Sequence, residues 1–248
     1  MSEAVYEHVA GQAGERVLLL CDHASNAVPD LVPGGLGLPE AEMRRHIAHD
    51  IGARGVTLGL ARRVGAEALL TRFSRLVIDP NRGEDDPTLV MRLYDGTVVP
   101  GNRRATASDV EARLARLHRP YHRAVEAALD RMLAAGRTPA IVSVHSFTPQ
   151  LKGRPPRPWQ VGVLWHRDDR LARPLIARLR DEGLTVGDNE PYSGELEGDT
   201  LSRHGTARAL PHVLIEIRQD LIGTPEGEEA WAARLAPVIR DVIAEAGV

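Results

Sequence analysis

Val17-Leu18-Leu19-Leu20-Cys21-Asp22-His23-Ala24-Ser25-Asn26-Ala27-Val28-Pro29 opens apolar, turns polar at Asp22 and stops at a proline. Five apolar residues in a row leave neither alternate face for water. That pattern fits a strand covered on both sides, as in a parallel sheet flanked by helices. In open α/β sheets ligands collect beyond the carboxyl ends of the strands, the place this reading gives Asp22, His23 and Asn26. His23 reads as the first ligand of a metal; the plain alternative is a polar turn residue bonded to nearby backbone.

Outward from this strand, residues 29–39 form a proline- and glycine-rich loop that lacks the G-x-G-x-x-G spacing of a dinucleotide site. Residues 40–64 read as one helix, with Met43, Ile47, Ile51, Leu58 and Ala61 at helical spacing. Residues 68–79 read as a strand or strand pair, and 84–104 as an irregular excursion near the site. Ser108, with Glu111 in the capping-box position, is expected to start a long helix. Pro120 is expected to end or kink it before the pattern resumes through 122–136. Residues 140–145 and 161–165 read as strands, 171–183 as a helix and 186–205 as a polar loop. Residues 212–218 are the last strong strand and 228–247 the closing helix. Strands alternating with helices, with no linker or internal repeat, predict a layered α/β sheet in a single domain over 1–248.

With 31 Lys+Arg against 34 Asp+Glu, the net charge of -3 gives no reason to expect nucleic acid or an anionic membrane as partner. No apolar run approaches the roughly 18 residues of a membrane span, and the N-terminus carries no export signal, so a cytoplasmic protein is expected. Cys21 is the single cysteine and reads as an inert core thiol. Neither a G-x-S-x-G elbow nor a P-loop occurs, which weakens serine-hydrolase and NTPase readings.

His145 repeats the situation of His23, a histidine closing an apolar strand, and two such residues can converge above one sheet. Catalytic zinc often takes two histidines and a carboxylate and leaves a position open for water. Asn26 is a poor metal ligand, so the carboxylate must come from elsewhere. Asp50 lies about 60° from Ile47 on a helical wheel, at the border of the apolar stripe; an Asp50–Arg54 pair is its plain alternative, and His46 the second choice of ligand. Glu216 interrupts Val213-Leu214-Ile215-Glu216-Ile217, where an unpaired buried charge costs several kcal/mol. It reads as an internal partner of Arg218, as part of an exposed edge face, or as a general base beside a metal. Arg75 and Arg82 also stand at strand ends, and guanidinium forks suit carboxylates, so an acidic small molecule is expected.

Six blocks together carry a resemblance: Asp22-His23-Ala24-Ser25-Asn26 with Pro29, His46 to Gly52, Ser74-Arg75 through Asp79-Pro80-Asn81-Arg82, Val144 to Pro149, Asn189-Glu190-Pro191-Tyr192, and Ile215 to Asp220. In this order, from about residue 16 to 222, they resemble the N-formylglutamate amidohydrolase family. The resemblance implies a three-layer α/β/α fold with a mixed, mostly parallel sheet, like that of zinc-dependent exopeptidases. It also implies hydrolysis of an N-acyl amino acid, with Zn2+ or another divalent metal as cofactor. His23, Asp50 and His145 would hold the metal, Glu216 would act as base and His204 would help stabilise the oxyanion. Arg75, Arg82 and Arg218 would bind substrate carboxylates, with Asn189, Tyr192 and Asn26 lining the pocket. The histidine-degradation deformylase is one role within such a family; a cell-wall peptide amidase, another N-acyl amino acid deacylase and a non-catalytic dicarboxylate-binding protein are the rivals.

Overall fold

The computed structural model describes residues 4–247. Its strands are β1 (Tyr6–Val9), β2 (Val17–Cys21), β3 (Glu67–Thr71), β4 (Leu93–Tyr94), β5 (Thr97–Val98), β6 (Ala140–Phe147), β7 (Val161–Leu164), β8 (Val186–Asp188) and β9 (His212–Arg218). Its α-helices are α1 (Glu40–Met43), α2 (Ala53–Val64), α3 (Pro100–Arg103), α4 (Ala107–Arg113), α5 (Arg119–Ala134), α6 (Ala172–Asp181), α7 (Thr200–His204) and α8 (Pro225–Glu245).

Seven strands form one sheet in the order β1-β3-β2-β6-β9-β7-β8, and β4 pairs with β5 in a small hairpin of its own. β3, β2, β6 and β9 run parallel, β7 is antiparallel to β9, and β1 is antiparallel to β3. The sheet is therefore mixed and mostly parallel, as expected. All five residues of β2 are buried, because alternate side chains serve two different cores. Val17, Leu19 and Cys21 pack with α2, α6 and α8. Leu18 and Leu20 pack with Tyr121, Val125 and Leu129 of α5. Burying one such leucine is worth about 1.5–3 kcal/mol, so a charge at Leu19 is the single change that breaks the middle of the sheet.

Several local expectations are corrected. The helix foreseen over 40–64 is two helices, α1 and α2, joined by turns. Gly52 sits between them at φ 79°, where a Cβ would lie 2.0 Å from the Ile222 carbonyl oxygen. Asp50 consequently lies on a turn, not on a helix face. The cap of α4 is Thr106, two residues before Ser108; its hydroxyl accepts the Asp109 N–H, and the Asp109 carboxylate accepts the Thr106 N–H in return. The chain then passes through a π turn, Leu114–His118, and resumes as α5 with Pro120 in its first turn, where a missing N–H costs little. β1 was not foreseen, and the polar loop expected over 186–205 contains β8 and α7, the latter capped by Asp199.

Candidate metal centre

β2 ends at Cys21, and the next two residues, Asp22 and His23, are buried above the carboxyl edge of the sheet. On the neighbouring strand β6, His145 stands two residues before the end, since the strand runs on to Phe147. Parallel pairing sets His145 directly beside Glu216 of β9. Asp50 is brought to the same place by its backbone N–H, which donates to the His23 carbonyl at 2.9 Å.

The three side chains converge. One carboxylate oxygen of Asp50 lies 3.2 Å from His23 Nδ1 and 2.9 Å from His145 Nδ1. The donor atoms of His23, Asp50 and His145 all fall within 4.8 Å of one another, and all three residues are buried. Each imidazole is held from behind through its other nitrogen. His23 Nε2 donates to Asp79 at 2.7 Å, and His145 Nε2 faces Asp22 at 3.3 Å and the Ser143 hydroxyl at 3.0 Å. Carboxylates placed this way fix ring orientation and tautomer and leave Nδ1 of both rings free to face a cation. Arg75 ties the set together, donating to Asp50 at 3.3 Å and to Asp79 at 2.8 Å.

The electrostatics agree with a site built for positive charge. Burial alone would raise the carboxyls, yet the facing His145 holds Asp22 down to about 2. The histidines hold Asp50, and Arg75 with His23 holds Asp79, well below the usual carboxylate range. Burial opposes protonation of His145, but its bonds to Asp22 and Asp50 push it up to about 10. A divalent cation among two imidazoles and one carboxylate would take the place of the protons they share here, and that donor set suits zinc. Glu216 is 6% exposed, its Oε2 has no hydrogen-bond partner among the described residues, and burial pushes its carboxyl up to about 7.

The centre opens into a cavity of about 760 Å³, whose wall includes His23, Asp50, His145, Glu216, Arg75, Arg82 and Tyr192. Four residues expected at the site do not line this cavity. Arg218 pairs with Asp220 at 2.8 Å and donates to the Trp159 carbonyl. Asn189 accepts the backbone N–H groups of Trp165 and Gly194. Asn26 donates to the Met43 carbonyl, and His204 is fully buried beside His122, 2.8 Å away. Local turn and core contacts hold all four away from the cavity. His46 lines the cavity but stays outside the cluster, 3.6 Å from Asp95. Asp22 was expected at the strand end but given no role, and Asp79 and the apolar wall of Leu164, Leu201 and Leu214 were not foreseen as parts of the site. Asp79 carried the same signal as Glu216, an acid against an apolar run, Leu76-Val77-Ile78.

A three-layer α/β/α protein with a His–Asp–His cluster beyond its parallel strands is the class that fold and geometry define. The chain belongs to the N-formylglutamate amidohydrolase family, whose profile matches residues 15–223. It is 30% identical over 202 residues to an N-formylglutamate deformylase of Pseudomonas aeruginosa, covering 75% of each chain. A crystal structure of a gene product from Agrobacterium tumefaciens superposes with a TM-score of 0.93 at 33% identity, over 99% of this chain and 97% of that one. The N-formylglutamate amidohydrolase of Ralstonia eutropha shares the fold, with a TM-score of 0.75 at 23% identity over 99% of this chain and 100% of that one. The family makes the chain a hydrolase of amide bonds. Among the described residues, no helix is long and apolar enough to cross a membrane.

Proposed function

We propose that the chain is a zinc-dependent amidohydrolase that splits N-acyl amino acids, of which N-formylglutamate is the simplest candidate, into an acid and an amino acid. The observation that carries this reading is the meeting of His23, Asp50 and His145, from three distant parts of the sequence, beside a buried and unpartnered Glu216 oxygen. Zinc, when bound there, supplies Lewis acidity toward the acyl carbonyl and toward water.

The remaining chemistry falls to the protein's own groups. Glu216 Oε2, free of hydrogen bonds and facing the cavity, takes the proton of the attacking water and returns it to the departing amine nitrogen. Its position beside His145 in the β6–β9 register holds it rigid. Asp22 and Asp79 keep the two imidazoles aimed, and Arg75 keeps Asp79 ionised while donating to Asp50. Arg82 holds a substrate carboxylate, and Tyr192, under the Arg157 guanidinium, forms another part of the wall. The surrounding sheet core excludes bulk water, which strengthens each of these interactions.

The test is metal content and turnover measured together. Glu216→Gln is expected to keep bound zinc and lose about 10²–10⁴-fold in kcat, whereas Asp50→Asn is expected to lose both metal and turnover. Full turnover by zinc-loaded Glu216→Gln removes Glu216 from the role of base. A wild-type protein that never takes up a divalent metal removes the whole reading.

A further inference from the structure

The cavity is much larger than the small dicarboxylate that the family name suggests. At about 760 Å³ it falls in the upper part of the roughly 300–1,000 Å³ range of pockets that enclose drug-sized ligands. Its walls also differ from end to end. Along β9, His212, Leu214 and Glu216 face the cavity at alternate positions, so the wall runs roughly 13 Å from the acid to His212 at about 3.3 Å per residue. Leu164 pairs with Leu214 across β7 and β9, and Leu201, Phe147, Tyr192 and Trp165 complete an apolar lining. The polar groups at the far end satisfy each other. His212 Nδ1 donates to the Leu210 carbonyl at 2.8 Å, and the Thr206 hydroxyl meets Nε2 at 3.1 Å. The buried acid of the lining, Asp199, accepts the Ser202 N–H at 2.7 Å as the cap of α7.

The cations are as uneven as the walls. Arg75 is taken up by Asp50 and Asp79, and Arg218 lies outside the cavity, paired with Asp220. Arg82 has only neutral hydrogen-bond partners, the Thr88 hydroxyl and the Asn81 carbonyl, with Asp86 4.0 Å away. Arg167 stands exposed in solvent at the mouth. Glu195 and Glu197 also line the cavity, and they repel a second substrate carboxylate. Among the described residues, one guanidinium is thus available inside, which is one carboxylate's worth.

We infer that the site takes an N-acyl amino acid with a single carboxylate and a sizeable apolar group, on the acyl carbon or on the amino-acid side chain, in preference to N-formylglutamate. This deepens the amidohydrolase reading and rests on it. The reaction is plain hydrolysis: the acyl C–N bond breaks, a C–O bond forms from water, and the water's proton goes through Glu216 to the amine. The apolar group lies along β9 over Leu214, and the carboxylate lies on Arg82.

The test is kcat/KM of the zinc-loaded protein on N-formylglutamate, on N-acylglycines from formyl to octanoyl, and on N-formyl-leucine and N-formyl-phenylalanine. One of the last two series is expected to exceed N-formylglutamate at least tenfold, each buried methylene adding up to about fourfold. Which series gains tells which end of the substrate is apolar. N-formylglutamate ahead of both, with no gain along either, overturns the inference and leaves the amidohydrolase intact. No turnover of any N-acyl amino acid overturns both. Leu214→Phe is expected to shift the preferred chain to a shorter one; in Glu216→Gln, calorimetric affinity for the better series is expected to rise with apolar length. A flat affinity series counts against the apolar channel whatever the turnover.

Discussion

Asp79 touches no substrate in the arrangement described, yet it decides how His23 points. A histidine that ligates through Nδ1 needs its Nε2 proton anchored, and Asp79 does this at 2.7 Å while Arg75 keeps the carboxylate ionised. Asp79→Asn is therefore expected to weaken metal binding about 10–100-fold, measured by competition with a chelator; unchanged affinity would mean His23 is oriented by packing alone. Cys21 lies next to this machinery but is fully buried in the β2 core. It is expected to resist alkylation in the native protein and to react only on unfolding, and rapid native labelling would contradict its placement. At this scale the sequence was informative about unusual residues: His23, His145 and Glu216 each broke an apolar run. Asn26, Asn189, Arg218 and His204 were indistinguishable from site residues by type, because only the fold shows that their contacts lie away from the cavity.

Among elements, the break between α1 and α2 matters most. Apolar periodicity continues through the break, so one helix was the natural reading; α1 stops at Met43, and α2 starts only after Gly52, whose positive φ and close approach to the Ile222 carbonyl exclude any side chain. The turn so formed delivers Asp50 to the two histidines. Gly52→Ala is expected to cost at least about 1–3 kcal/mol of stability, read from the denaturation midpoint, and to lower metal affinity as well. Normal stability with normal metal binding would show that the turn tolerates another course. Thr106→Ala, by contrast, removes a cap far from the cavity and is expected to cost about 1 kcal/mol with turnover retained. Full-length strands and the closing helix were legible because a strand buried on both faces and an amphipathic helix each have a strong local pattern. The three-residue strand β8 and the five-residue helix α7 have none of their own; tertiary contacts make them.

Across the whole molecule, burial creates a pH dependence. His122 donates Nε2–H to the Pro80 carbonyl at 3.0 Å and accepts from His204 at 2.8 Å, a pair that packs only when neutral. Burial pushes His122 down to about 2 and His204 to about 4, whereas in the unfolded chain both titrate near 6.5. Above that pH neither ring binds a proton in either state, and the stability they permit is fully present. As pH falls below about 6.5 the unfolded chain takes up protons that the folded one refuses. Stability then drops by up to about 1.4 kcal/mol per pH unit per ring, down to the folded pKa of each. Asp199, pushed up by burial to about 6, acts in the opposite sense between there and about 3.9. His204→Gln isolates the effect: its stability curve is expected to fall less steeply than wild type between pH 6.5 and 4. Parallel curves would show that His204 is not buried neutral.

The amino-acid sequence by itself determined the α/β layering and the placing of His23, His145 and Glu216 beyond or near the strand ends. Both follow from local patterns: unbroken apolar runs where a strand is covered on both faces, and helical spacing of apolar residues where a helix buries one face. Only the tertiary structure decided that Asp50 and not His46 completes the cluster, that Asp22 and Asp79 stand behind the rings, and that Arg75 is bound to Asp50 and Asp79 while Arg82 hydrogen-bonds a hydroxyl and a carbonyl. Those outcomes depend on which distant groups meet. A hydrogen-bonding side chain has the same type whether its partners are a substrate, a metal or a backbone amide 50 residues away, and only the folded arrangement says which.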